Sequence, residues 1–179
     1  WLNLVTDGAP ALALGVESGD PDIMDRPPRP PKEPVVNREM LVGLVVQAVA
    51  MTGAVLAAYI WAANRVPGDL SLARTVAFAT LVLSELWRAF TSRSDRYSIF
   101  QIGPASNRWM LLAVATSLAF LIAIIYIPFL RPIFDTTFLG WDNWLRLLPF
   151  TFVAAIAAEI TKMFMRRRAR SSFSSPDRT

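Results

Sequence analysis

The sequence predicts an all-α integral membrane protein without β sheet: the end of one transmembrane helix followed by four spanning helices. Three observations carry this prediction. The 179 residues are 54% hydrophobic with a mean hydropathy of +0.39, too apolar for an ordinary soluble domain. Met40–Ala63 and Trp109–Leu130 carry no charge at all, and each is long enough to cross a hydrocarbon layer of about 30 Å. The basic residues recur in alternate connectors. All but four of the 18 Lys and Arg (the four being Arg65, Arg74, Arg131 and Arg146) lie in residues 16–38, in 88–108, or from Lys162 onward. By the positive-inside rule these three stretches are cytoplasmic, and the alternation fits half a helix plus four spans.

In chain order, residues 1–15 read as the end of an apolar helix; the chain begins in mid-helix, as a piece of something larger would. Residues 16–38 form a connector in which five prolines between 27 and 34 favour extended backbone. Residues 39–164 hold the four spans, about 40–63, 71–91, 108–130 and 143–164. Asn64–Gly68 is a turn between the first two. Within the first span Gly43, Ala50 and Gly53 read as small packing residues, and Gln47 and Thr52 as helix–helix contacts. Trp61, Trp109, Trp141 and Trp144 fall near the span ends, as an interfacial belt would. Residues 165–179 are a basic, Ser-rich cytoplasmic tail, expected to be disordered and to meet anionic lipid.

Composition excludes several chemistries. With no Cys there is neither a disulfide nor a thiolate metal site, and with no His there is no imidazole acid–base catalysis and no classical zinc site. The net charge of +4 points to a membrane surface rather than to nucleic acid, because the basic residues flank apolar runs.

Two features carry chemistry. Asn3, Thr6 and Asp7 are three and four residues apart, so they share one face of an otherwise apolar helix. Three oxygen-bearing side chains there suit a hard cation. Pro10 has no N–H and deprives the Thr6 carbonyl of its helical donor, and Gly8 makes local unwinding inexpensive. The bland alternative is a polar face that glues helices together. The second feature is Glu85. Only ten uncharged residues separate it from Arg74, so a span of about 20 residues must contain it. An ionisable residue in a span faces protein or an ion path. Spacing alone leaves two readings, a cation ligand or an ion pair with Arg88 one turn on. Glu159 and Lys162 have the same spacing beside the basic tail, where a salt bridge is the favoured reading.

The string Asn3-Leu-Val-Thr-Asp-Gly-Ala-Pro-Ala-Leu-Ala-Leu-Gly15, followed by Asp22-Ile-Met-Asp-Arg-Pro-Pro-Arg29, resembles the C-terminal membrane region of P-type cation-transporting ATPases. The resemblance is greatest to sarco/endoplasmic-reticulum-type calcium pumps and their bacterial relatives. It implies that residues 1–15 belong to the sixth transmembrane helix and that the four spans are helices seven to ten. It implies metal ligands at Asn3, Thr6 and Asp7, and it favours Glu85 in Leu83-Ser-Glu-Leu86 as a further one. Connector 16–38 would be the cytoplasmic loop that helps couple phosphorylation to the membrane helices; for Asp20, Asp22 and Asp25 two readings stay open, contributors to that coupling or a solvated loop of Pro-fixed geometry.

The resulting expectation is a segment of an ATP-driven pump, with Ca²⁺ as the transported ion, in a bacterial cell membrane. Its partners are the lipid bilayer and the remaining helices and cytoplasmic domains of the parent pump, with no nucleic acid. The 179 residues contain no phosphorylation motif and no nucleotide-binding domain, so ATP and Mg²⁺ would act only elsewhere in the parent, and no catalytic residue is assigned. The rival readings are a stand-alone membrane scaffold or regulatory fragment, a pump for Mn²⁺ or Na⁺, and a passive channel.

Overall fold

The computed structural model describes residues 8–20, 22–25, 34, 36, 38–94 and 97–173; of residues 39 and 165–173 the backbone alone is described. The described residues are helical, with no strand among them. Four helices are short or partial: α1 (Ala9–Gly15), α4 (Ile99–Ile102), α6 (Arg131–Phe134), and a 3₁₀ turn at Ile23–Asp25. Four are long: α2 (Arg38–Ala63), α3 (Ser71–Thr91), α5 (Arg108–Tyr126) and α7 (Trp141–Phe173). Within these, Met40–Ala63, Arg108–Tyr126 and Trp141–Phe164 are long and apolar enough to cross a membrane. The chain is a membrane protein.

The fourth long helix, α3, is the most polar of the candidate spans and occupies the middle. It packs against α2, α7, α5 and α1. Ala73, Val76, Ala79, Val82 and Leu86 are all 4% exposed or less, and Thr75, Thr80 and Ser84 are wholly buried. Lipid tails are as apolar as Leu, so helices associate here through close packing and hydrogen bonds rather than through expulsion of water. Thr75 and Thr80 donate their hydroxyls to the Ser71 and Val76 carbonyls at 2.9 and 2.8 Å. No polar group on this buried face is turned to lipid.

Helix α2 shows the complementary case. Leu41, Val45, Val49, Leu56 and Ile60 are exposed, as a lipid-facing surface requires. Its inner face is a buried small-residue stripe, Ala54, Ala58 and Ala62, spaced four apart, of which Ala58 and Ala62 share a core cluster with Ala73, Val76 and Ala79 of α3. Gly43 is buried and Ala50 partly so, but Gly53 and Thr52 are exposed. The expectation that Gly53 and Thr52 are packing positions is therefore corrected. They lie one and two residues before Ala54, about 100° and 200° around the helix.

The ends of α3 are tied to their neighbours by hydrogen bonds. At its C-terminus the Thr91 carbonyl, one of the orphan acceptors of a helix end, receives the Lys162 ammonium of α7 at 2.5 Å. The same ammonium is 3.5 Å from Glu159, so the expected salt bridge is present but is the longer contact. At the other end the Thr75 hydroxyl accepts from Thr137 N–H at 2.9 Å, and Arg74 pairs with Asp135 at 2.8 Å.

Two span ends differ from expectation. Helix α5 stops at Tyr126 rather than near 130, because Pro128 disfavours helical backbone at Ile127, which is extended (φ −80°, ψ 115°). The freed carbonyls are taken up: Arg131 donates to Ile125 at 2.9 Å, and the Thr136 hydroxyl donates to Ile124 at 3.0 Å. Helix α7 begins at Trp141 and continues through Phe173, past the expected end at 164 and into the tail expected to be disordered. Its Arg- and Met-rich stretch favours helix, and no Gly or Pro interrupts it. Near its start, Asp142 accepts from both Arg146 (2.9 Å) and Arg65 (3.3 Å), and both arginines sit over the Trp61 ring.

The packing of α2 predicts that Ala58→Leu destabilises the domain by about 1–3 kcal/mol through overpacking, whereas Gly53→Ala is neutral or slightly stabilising. Thermal unfolding of both variants in detergent measures the contrast; equal midpoints would place the α2–α3 contact elsewhere.

Candidate functional site

Asn3, Thr6 and Asp7 lie outside the described residues, so the structure begins directly behind them. Gly8 has right-handed helical backbone (φ −60°, ψ −59°), and Pro10 follows it in α1. The unwinding expected at this motif is thus not present at Gly8 itself. Pro10 and Ala13 are buried, and Ala13 packs with Ala89 of α3 and with Met110 and Ala113 of α5. The motif helix is seated in the notch between α3 and α5.

Glu85 lies in the second turn from the end of α3. Its side chain is 14% exposed, and its carboxylate accepts from Arg88 Nε at 2.6 Å. In this structure the ion pair, the second of the two readings left open by spacing, is formed. Arg88 is the more exposed of the two, at 36%. Among the described residues no three acidic side chains converge on one point. The neighbouring Ser84 hydroxyl is buried and has no partner among the described residues.

The densest polar cluster is a different one, at the C-terminal end of α1. Its centre is the Arg93 guanidinium, 1% exposed, one turn beyond α3. It grips the Glu17 carboxylate with both arms, Nε to Oε2 at 2.9 Å and Nη2 to Oε1 at 2.7 Å. It also donates to the Gly103 carbonyl at 2.9 Å and to the Ser106 hydroxyl. Such fork-to-carboxylate pairs fix orientation as well as charge. Asn107 completes the cluster. Its Oδ1 caps α5 by accepting from Met110 N–H at 3.0 Å, while its Nδ2 donates to Ala13 O at 2.9 Å and to Glu17 Oε2 at 2.7 Å. Asn offers the cap an acceptor on one atom and two N–H donors on another, which Asp lacks and a single Ser or Thr hydroxyl does not match.

The local sequence builds this cradle. Ser98 and Gln101 form a capping box that starts α4, with Ser98 N–H donating to Gln101 Oε1 at 3.2 Å. Gly103 ends α4 at φ 88°, a backbone region that residues with a Cβ rarely adopt, and this turns its carbonyl toward Arg93. The bond to Arg93 holds the Glu17 carboxyl below the usual carboxylate range; burial opposes this, and Asn107 adds to it.

The family model for the C-terminus of cation transporting ATPases matches residues 1–164. The chain belongs to this family. Among curated proteins this cation-transporting ATPase segment is 39% identical over 148 residues to a calcium-transporting ATPase of Bacillus subtilis, covering 83% of this chain and 16% of that protein. It is 32% identical over 173 residues to calcium-transporting ATPase 1 of Yarrowia lipolytica, covering 97% and 18%. It is also 32% identical over 170 residues to the human calcium-transporting ATPase type 2C member 1, covering 95% and 18%. The chain spans less than a fifth of the length of these relatives.

Sequence reading of the ATPase segment assigned Arg93 only to the cytoplasmic charge count and missed Glu17 and Asn107. A partial signal existed: Asn107 directly precedes a long apolar run and is a plain cap candidate. Its link to Glu17, and that of Arg93, spans 90 and 76 residues respectively, which local spacing does not reveal.

Two outcomes follow for stability. Arg93→Ala leaves the Glu17 carboxylate and the Gly103 carbonyl without their donor and costs about 3–5 kcal/mol, read as a lowered unfolding midpoint. Because the folded-state pKa of Glu17 is depressed below the reference value of 4.5, its contribution is complete above that pH. It is lost as pH falls through the depressed value. Glu17→Gln therefore flattens the acid limb of the midpoint-versus-pH curve; an unchanged limb would contradict the assignment.

Proposed function

We propose that the chain is the C-terminal membrane segment, helices six to ten, of an ATP-driven pump that transports Ca²⁺. The observation that carries this reading is that the relatives matched over 83–97% of the chain are calcium-transporting ATPases from bacterial, fungal and human sources. The family match across residues 1–164 supports it. In this reading α1 is the end of helix six, and α2, α3, α5 and α7 are helices seven to ten. Residues 16–38, the α3–α5 loop and the C-terminus are cytoplasmic, supported by the concentration of basic residues there. A bacterial cell membrane is the proposed location, supported by the Bacillus relative. ATP and Mg²⁺ act in the rest of the pump, whose other membrane helices complete the ion site.

Asp7 supplies the central charge of the cation site, Asn3 and Thr6 neutral oxygens, and Glu85 a second carboxylate. Ca²⁺ takes six to eight oxygens, so the segment contributes part of a cage. Glu85 enters the site by exchanging Arg88 for the cation. The half-exposed Arg88 side chain can swing toward the interface, and the ion pair keeps the carboxylate neutralised while no cation is bound. Phosphorylation in the rest of the pump drives transport by favouring a conformation with lower cation affinity.

The test uses the full-length parent pump. Asp7→Asn raises the Ca²⁺ concentration for half-maximal ATPase activity by about tenfold or more, the scale of one charge-assisted contact. Unchanged affinity would remove Asp7 from the site. Glu85→Ala raises it as well, and unchanged affinity and stoichiometry would confine Glu85 to its pair with Arg88.

A further inference from the structure

We propose that Glu17, Arg93 and Asn107 form a latch that sets the axial and rotational register of the ion-motif helix, and through it the divalent-cation affinity of the site on that helix. The inference rests on the pump reading above and adds positioning residues to it; none of the three touches the cation.

Residues 16–37 separate α1 from α2 in the chain, and α1 is seated instead against α3 and α5. Its apolar seat joins Ala13 to Ala89, Met110 and Ala113, with Leu14, Phe90 and Val114 packed against them; these contacts are non-directional. What fixes the register is polar and directional. Asn107 Nδ2 holds the Ala13 carbonyl at 2.9 Å, and Glu17 is held by both Asn107 and the two arms of Arg93. These bonds reach α1 from the cap of α5 on one side and from the end of α3 on the other.

The consequence for the site follows from geometry. Glu17 follows Asp7 by ten residues in the sequence. Ala9–Gly15 is one helical segment, so a shift at Ala13 moves the whole of α1, directly behind the motif. Cation ligands at about 2.3–2.6 Å tolerate displacements of a few tenths of an ångström. The same latch fixes the end of α3, the helix that bears Glu85, relative to α1. The two helices that carry the proposed carboxylates are therefore registered against each other by one buried guanidinium.

The Asn107→Asp substitution isolates the latch, because Asp caps α5 as well as Asn does. It also removes the donor to Ala13 and Glu17 and sets a second carboxylate beside Glu17. In membranes containing the full-length pump, Asn107→Asp raises the Ca²⁺ concentration for half-maximal ATPase activity about fivefold, the lower end of coupling between sites. The maximal rate changes less than twofold. Adding Glu17→Gln to Asn107→Asp restores a donor–acceptor pair and brings the value back toward wild type. Arg93→Lys, which keeps the charge and loses the fork, gives an intermediate shift and is the reading to use if Asn107→Asp does not accumulate. Unchanged half-saturation in both, or a fall in maximal rate alone, overturns the latch. A wild-type parent without Ca²⁺-dependent ATPase activity overturns the pump reading instead.

Discussion

A polar helix cannot face lipid, and α3 is polar. It carries Thr75, Thr80, Ser84, Glu85 and Arg88 within a stretch that must cross or nearly cross the bilayer. Hydrocarbon offers these groups no partner, so the helix has to be enclosed by protein. The rest of the architecture follows from that enclosure. Helix α2 presents alanines to α3 and large aliphatics to the bilayer; α7 lies along another flank and sends Lys162 to the carbonyl at its end; α5 and α1 pack against the remaining side, where an apolar cavity lies between α3, α5 and α7. The helices with the highest hydropathy are the outer ones because they, and not α3, meet lipid.

Enclosure also explains where the charges go. Each of the four arginines on the less basic side is engaged: Arg65 and Arg146 with Asp142 and the Trp61 ring, Arg74 with Asp135, and Arg131 with carbonyls at the end of α5 and the Phe138 ring. Exposed pairs of this kind add about 0–1 kcal/mol each. Their larger effect is to hold the 127–140 connection against the ends of α3 and α7. On the opposite side Arg93 is buried, and its pairing with Glu17 is expensive to break. A buried pair of this kind contributes more to geometry than to stability, which is why the C-terminal end of the motif helix has a defined place beside α5.

Much of this was legible in the sequence because membranes impose simple rules. Uncharged runs located α2 and α5, the basic connectors fixed the alternation, and the improbable Glu85 marked α3 as an interior helix. Other features were not legible, for identifiable reasons. Helix α2 is apolar all round, so periodicity carries no information about which face packs, and Gly53 was taken for a contact when the Ala54, Ala58, Ala62 stripe makes it. Pro128 was in plain view, but an uncharged run does not end where its helix ends. Glu17, Arg93 and Asn107 each have an ordinary local meaning: a loop carboxylate, a cytoplasmic charge and a helix cap. Only the fold brings them together. The motif residues Asn3, Thr6 and Asp7 are the clearest signal in the sequence, and they lie outside the described residues.

The central claim is that α3 is enclosed by protein while α2 faces lipid. Labelling with a membrane-partitioning carbene precursor, mapped by mass spectrometry on the protein in bilayers, tests it without any substitution. The account predicts label on Val45, Val49, Leu56 and Ile60 of α2 and none on Val76, Ala79, Val82 or Leu86 of α3. Comparable labelling of the two sets would contradict it.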